Sequence, residues 1–294
     1  MQIPIIPHRG QKKPWNSIPR INWAHPLAGG LISYGYDAGS GPIDLVTGGQ
    51  RTITNSTSPP FGGVKTSPYG TGLTSIQTAS VTLGLYTLPG NASIESFVVS
   101  APYSFACGVM LQVTPPLVLC KLFSTSNSPT TSTPVFLGCS NATATDYAAQ
   151  FSDVTAIQNS AAGAIKLNTF QTILGVALTS STVALYVDGA LAKSASGLNT
   201  VAAATTGVIP AFHGRRNLSG QTLQTGFIYY GALWKGRALT ASEARLLHDD
   251  PYCFLIYPED EIFAENVAVP TSAIFPLGPS WEPQPLQTKI VTYG

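Results

Sequence analysis

Apolar residues along this chain come in short runs, and several of the runs alternate. In Thr182-Val183-Ala184-Leu185-Tyr186-Val187, the residues Val183, Leu185 and Val187 fall on one face of an extended segment. Residues 94–99, 108–113, 172–178 and 227–234 read in the same way as strands. Clusters of Gly, Pro, Asn and Ser separate the runs, as a sandwich of short antiparallel strands requires. No segment repeats at a fixed period, which sets aside propellers and solenoids. One stretch has the helical pattern instead. Thr240-Ala241-Ser242-Glu243 is a capping box, in which the Thr hydroxyl takes the Glu243 N–H and the Glu carboxylate reaches back. Ala244, Leu246 and Leu247 supply its apolar side, and Asp249-Asp250-Pro251 stops it. A helix of about nine residues is too short to stand alone, so it must dock on the sheets.

The ends lack this periodicity. Residues 1–20 carry Pro4, Pro7, Pro14 and Pro19 and read as an extended N-terminal arm. Residues 259–294 form an extended Pro-rich tail, opening on Glu259-Asp260-Glu261 and passing through Pro270, Pro276, Pro279, Pro283 and Pro285. The body between them is residues 21–258. Apolar residues persist in both arms. A solvated linker has no use for them, so the arms pack either on neighbouring chains or back on their own body; on the first reading Trp15, Ile262, Phe263, Phe275 and Trp281 are the candidate contacts with a partner.

Composition narrows the picture. Of 294 residues only 10% are charged, with a formal net charge of +1, so the basic footprint of a nucleic-acid binder is missing. Hydrophobic residues make up 44%, yet no run approaches the ~18 apolar residues of a membrane-spanning helix. The first fifteen residues lack the apolar run of a secretory leader, so no export signal is expected there. Cys107, Cys120, Cys139 and Cys253 fit no zinc or redox spacing and read as reduced, buried residues. A disulfide within the 107–139 stretch is the alternative. Sequons at Asn55, Asn91, Asn141 and Asn217 are what a Ser/Thr-rich chain produces by chance.

Two motifs carry a resemblance. The first is Leu185-Tyr186-Val187-Asp188-Gly189, a strand ending in an Asp-Gly pair suited to a type I′ turn. The second runs from Phe227 through Trp234, Lys-Gly-Arg-Ala-Leu-Thr-Ala-Ser-Glu-Ala-Arg-Leu-Leu, and Asp250-Pro251-Tyr252. Together they resemble the closing strand and short helix of laminin-G-like, concanavalin A-like jelly-roll domains, in the variant frequent among tailed-bacteriophage proteins. The opening Ile21-Asn22-Trp23-Ala24-His25-Pro26-Leu27 followed by Ile43-Asp44-Leu45-Val46 is similar to the first strands of those proteins. The resemblance implies an all-β jelly-roll sandwich of two antiparallel sheets with one short C-terminal helix, flanked by the two arms. It assigns structural roles to Asp188, Gly189, Trp234, Thr240 and Glu243.

The fold hosts lectins, glycosidases and inert structural proteins alike, so activity must be argued from the residues. A glycosidase needs two carboxyl groups facing a sugar. The Glu-x-Asp-x-x-Glu strand of jelly-roll glycosidases does not occur; Asp37, Asp44, Glu95, Asp146, Asp153, Asp188, Glu243, Asp249 and Asp250 are mostly isolated. His8, His25, His213 and His248 are present without a Gly-x-Ser-x-Gly elbow. No catalytic residue, metal site or cofactor is assigned. Tyr34, Tyr36, Tyr69 and Tyr147 are the candidates for stacking on a glycan, and His213-Gly-Arg215-Arg216-Asn217 reads as a solvated hairpin tip.

The expectation is thus a non-enzymatic virion structural protein of a tailed phage. It would be a capsid decoration (cement) protein held by its arms to the major capsid protein or other virion proteins, as a homo-oligomer. The alternative is a glycan-binding adhesion module for a cell-surface polysaccharide, of tail- or head-fibre type. Neither reading involves nucleic acid or membrane.

Overall fold

The computed structural model describes residues 18–37, 42–49, 52–54, 63–75, 85–87, 101–112, 120–124, 135–143, 146–153, 157–196, 211–212 and 226–257. The predicted tail, the first seventeen residues of the arm and the predicted strand at 94–99 lie outside them.

The architecture is an all-β jelly-roll sandwich of antiparallel sheets with one short helix. The larger sheet has nine strands. From one edge it runs β15 (Ala190–Ala195), β14 (Thr182–Val187), β13 (Gln171–Thr179), β8 (Tyr103–Leu111), β17 (Gly226–Lys235), β2 (Leu31–Asp37) and β3 (Pro42–Asp44). The remaining two, β6 (Gly70–Ser75) and β5 (Gly63–Ser67), join through β17. The central β17 is shared. Its first residues pair with β6 and the stretch from Tyr230 to Trp234 pairs with β2, while the whole strand follows β8. The smaller sheet runs β12 (Ile157–Asn159), β11 (Asp146–Asp153), β10 (Val135–Thr143), β9 (Cys120–Ser124), β16 (Ala211–Phe212), β7 (Leu85–Thr87) and β4 (Thr52–Thr54). Predicted strands at 172–178, 182–187 and 227–234 coincide with β13, β14 and β17, and the one predicted at 108–113 is the end of the longer β8.

The core between the sheets takes one face of each strand. Tyr103, Phe105, Cys107, Val109 and Leu111 of β8, and Val183, Leu185 and Val187 of β14, meet Leu122, Leu137 and Cys139 of the smaller sheet. The alternation read from the sequence at 182–187 is therefore the inward face of β14. Cys107, Cys139 and Cys253 are free thiols, so no disulfide ties Cys107 to Cys139.

The larger sheet is also covered on its other face. The helix α1 (Ala241–Asp249), a 3-10 turn at Pro26–Ala28 and the segment 251–257 lie there over a layer rich in aromatic rings. Tyr34 stacks on Tyr230 at 5.6 Å and meets Phe254 edge-on at 5.2 Å. A two-stranded ladder of β1 (Arg20–Ile21) and β18 (Leu255–Ile256) closes the body, pairing Arg20 with Ile256. Pro19 is already buried. The body thus reaches back past the boundary expected at residue 21. Because β1 and β18 are antiparallel, the two terminal segments join the body side by side.

Candidate functional site

The Asp188-Gly189 turn and the opening and closing motifs meet in two hydrogen-bonded junctions. The first is the β14–β15 turn. Asp188 and Gly189 have φ of 52° and 73°, the left-handed values a type I′ pair requires. Asp188 Oδ1 accepts the Thr172 N–H at 3.1 Å and Oδ2 accepts Gln171 Nε2–H at 2.9 Å. Its carboxylate also lies 3.6 Å from His248 Nδ1 in the last turn of α1. A Cβ on Gly189 would stand 2.7 Å from Arg245 Cα, so only glycine lets the turn lie against the helix.

The second junction joins the opening and closing motifs. Trp234 is fully buried, and its indole N–H donates to the Leu27 carbonyl at 2.7 Å. Arg237 donates to the carbonyls of Pro26 and Gly29 and pairs with Glu243. Ser104 Oγ donates to the Arg237 carbonyl at 3.0 Å and accepts the Leu239 N–H at 2.8 Å. Thr240 and Glu243 form the complete capping box. Burial alone would raise the Glu243 pKa. The Thr240 N–H and hydroxyl and the Arg237 guanidinium outweigh burial and hold it below the usual value. Of the apolar helix residues expected to face inward, Ala244 and Leu247 are buried, while Leu246 is exposed. A buried stripe of two residues suffices because Gly189 brings the sheet close.

Four of the described acids are committed to the backbone. Asp44 accepts from the N–H groups of Tyr34 and Val46 and from Ser33 Oγ, and Asp250 accepts from the Tyr252 N–H. Asp44, Asp188, Glu243 and Asp250 therefore each fix a turn or cap. Among the described residues no three His, Cys, Asp or Glu side chains are grouped to hold a metal ion. His25 caps the 3-10 turn, its Nδ1 accepting the Leu27 N–H at 3.1 Å. Burial pulls its pKa below 6.5, with Asp250 opposing and Arg237 reinforcing the shift. Burial likewise pushes the phenols of Tyr34, Tyr229, Tyr230 and Tyr252 upward and the Cys253 thiol up to about 12.

The expected glycan-stacking residues fare unequally. Tyr34 and Tyr36 are corrected: both are buried in the aromatic layer, at 0% and 1% exposure, and offer no face to a sugar. They are buried because the segment 251–257 covers the outer face of β2. Tyr69 is half-buried against Phe170 and Tyr229. Tyr147 lies in β11, and its side chain is outside the described residues. Trp15, Ile262, Phe263, Phe275 and Trp281 are outside them entirely, as are Glu95, His8 and the loop at His213.

Sequence reasoning missed Trp23. It is 59% exposed, the one exposed Trp, Tyr or Phe among the side chains described. It sits on a turn closed by His25 N–H to the Asn22 carbonyl at 3.0 Å. Nothing in its spacing marks it, since a turn has no period to read.

Comparison with known proteins places the fold. No family model matches the chain, and no curated protein matches it. Solved structures do. Domain 4 of AbnA, an extracellular GH43 arabinanase from Geobacillus stearothermophilus solved with arabinotriose, aligns with a TM-score of 0.52 and 15% identity. The match covers 74% of this chain and 98% of that domain. The binding domain of Paraclostridial Mosquitocidal Protein 1 aligns at 0.55 and 12% identity, over 74% of this chain and 52% of the other. The sialidase of Trypanosoma rangeli, in complex with sialic acid, aligns at 0.50 and 14% identity, over 74% of this chain and 32% of the enzyme. This chain spans about half of the toxin domain and a third of the sialidase. At these identities the likeness is one of fold.

Proposed function

We propose that this chain is a non-enzymatic recognition module whose ligand is a glycan. The observation that carries the reading is the use of its carboxylates. Asp44, Asp188, Glu243 and Asp250 all hold backbone N–H groups, which commits these four of the described acids to turns and caps rather than to the paired, sugar-facing role of glycoside hydrolysis. The rigid body that results suits binding by surface groups on its loops. The folds it resembles include an arabinanase domain solved with arabinotriose and a sialidase solved with sialic acid, which supports the choice of ligand class. The test is to incubate the full chain with a panel of bacterial and plant polysaccharides. Retention without release of reducing ends is expected. Release of reducing sugar would show an enzyme, and failure to retain any polysaccharide would remove the glycan.

A second reading is favoured by the β1–β18 ladder, which roots both terminal segments at one place on the body. Together with the phage-type closing segment Asp250-Pro251-Tyr252, it supports a capsid decoration protein. There the two arms would act as one bipartite anchor on the major capsid protein or another virion protein, within a homo-oligomer. Rebinding to particles stripped of this protein tests it. The full chain should rebind and a chain trimmed to residues 18–257 should not. Equal rebinding of the two would show that the arms are not the anchor.

A further inference from the structure

We infer that the turn at residues 22–25 is a sugar-stacking subsite, with the indole of Trp23 as its platform. The inference rests on the glycan-binding reading above and gives that reading a location.

The first ground is exposure. Trp23 is 59% exposed, whereas Trp234 is wholly buried and donates its indole N–H inward. Second, the turn beneath Trp23 is rigid. The Asn22 N–H donates to the Phe254 carbonyl at 2.9 Å, and the Ala24 N–H donates to Asn22 Oδ1 at 3.2 Å. Just downstream, the carbonyls of Leu27, Pro26 and Gly29 are held by Trp234 and Arg237. A ring displayed on such a support loses little conformational freedom when a ligand arrives.

Third, the flanking groups are donors with a fixed sense. Asn22 Oδ1 is occupied by the Ala24 N–H, so the amide nitrogen with its two N–H groups is the donor side of this residue. His25 Nδ1 is occupied by the Leu27 N–H, so the neutral ring carries its proton on Nε2, a second donor. An exposed indole on a turn that also carries N–H donors matches a sugar ring, which offers an apolar C–H face and a rim of hydroxyl oxygens. A stable protein interface needs about 800 Å² per partner around several anchors. Here the other residues of the turn are Asn22, Ala24 and a half-buried His25, which suits a single ring better.

The experiment uses the full chain and calorimetric titration with arabinotriose, cellohexaose and the polysaccharides retained in the panel above. Trp23→Ala should lower affinity by about tenfold or more, and Trp23→Phe should restore part of it. Leu191→Ser, at an equally exposed apolar residue on the edge strand β15, should bind as the parent does. Both Trp23 variants should melt at the parent temperature. If the parent binds sugar and Trp23→Ala binds equally well, the subsite is elsewhere and the inference falls while the glycan reading stands. If the parent binds none of these sugars, the glycan reading falls and takes the inference with it. If Trp23→Ala instead abolishes capture of a protein, the ring is a protein anchor and the inference is overturned.

Discussion

At the scale of single residues, the body depends on a few positions whose chemistry is specific. Gly189 is one: it combines a φ of 73° with a 2.7 Å approach of its would-be Cβ to Arg245 Cα. Gly189→Ala should cost roughly 2 kcal/mol or more, read from the midpoint of chemical unfolding. A loss below about 0.5 kcal/mol would show that turn and helix are free to separate. His25 is another. Its folded pKa lies below 6.5, through burial first, with Asp250 opposing and Arg237 adding to the shift. Stability should therefore be complete above pH 6.5. It should fall as pH drops below that value, because the unfolded chain takes up a proton that the folded ring declines, and then level off. Thermal melts at stepped pH will show this. His25→Asn, which keeps a capping side chain, should flatten the slope below pH 6.5.

At the scale of elements, the helix and the central strand make opposite points about legibility. The capping box, the helix length and the stop at Asp250 were all readable because each is written in neighbouring residues. Thr240→Ala should cost about 1 kcal/mol by loss of the cap, measured by thermal or chemical unfolding. An unchanged midpoint would mean that docking alone holds the helix. Strand β17 was readable as a strand but not as a bulged one. Its register against β8 slips between Ile228 and Tyr230. The consecutive residues Tyr229 and Tyr230 therefore both face the aromatic layer, while Ile228 and Leu233 face the core between the sheets. Strict alternation would have sent one tyrosine to each side. The slip also seats Tyr230 over Gly108, where a Cβ would come within 2.3 Å of its ring.

At the scale of the whole molecule, the sandwich has a second buried face, and this decides which aromatics are available. Tyr34 and Tyr36 carried the same signal as a surface tyrosine on a strand. Their burial depends on Tyr252, Phe254 and Tyr257, more than two hundred residues away in sequence. The β1–β18 ladder is the matching long-range feature at the ends. A chain trimmed to residues 18–257 keeps that ladder and should unfold in one cooperative transition. A broad, non-cooperative melt would show that the arms belong to the folding unit.

The sequence by itself determined what is local. It marked the strands by their alternation, the turn by Asp188-Gly189, the helix by its cap and stop, and the absence of an alternating-acid strand by inspection. Those signals are short-ranged because backbone sterics, capping and strand pleating act over a few residues. Only the tertiary structure decided that Asp44 and Asp188 hold N–H groups of neighbouring strands, that the larger sheet is covered twice, and that Trp23 is left in the open. Each of these depends on which distant segments come to lie on a given surface, and burial is a property of that packing rather than of any residue's near neighbours in the chain.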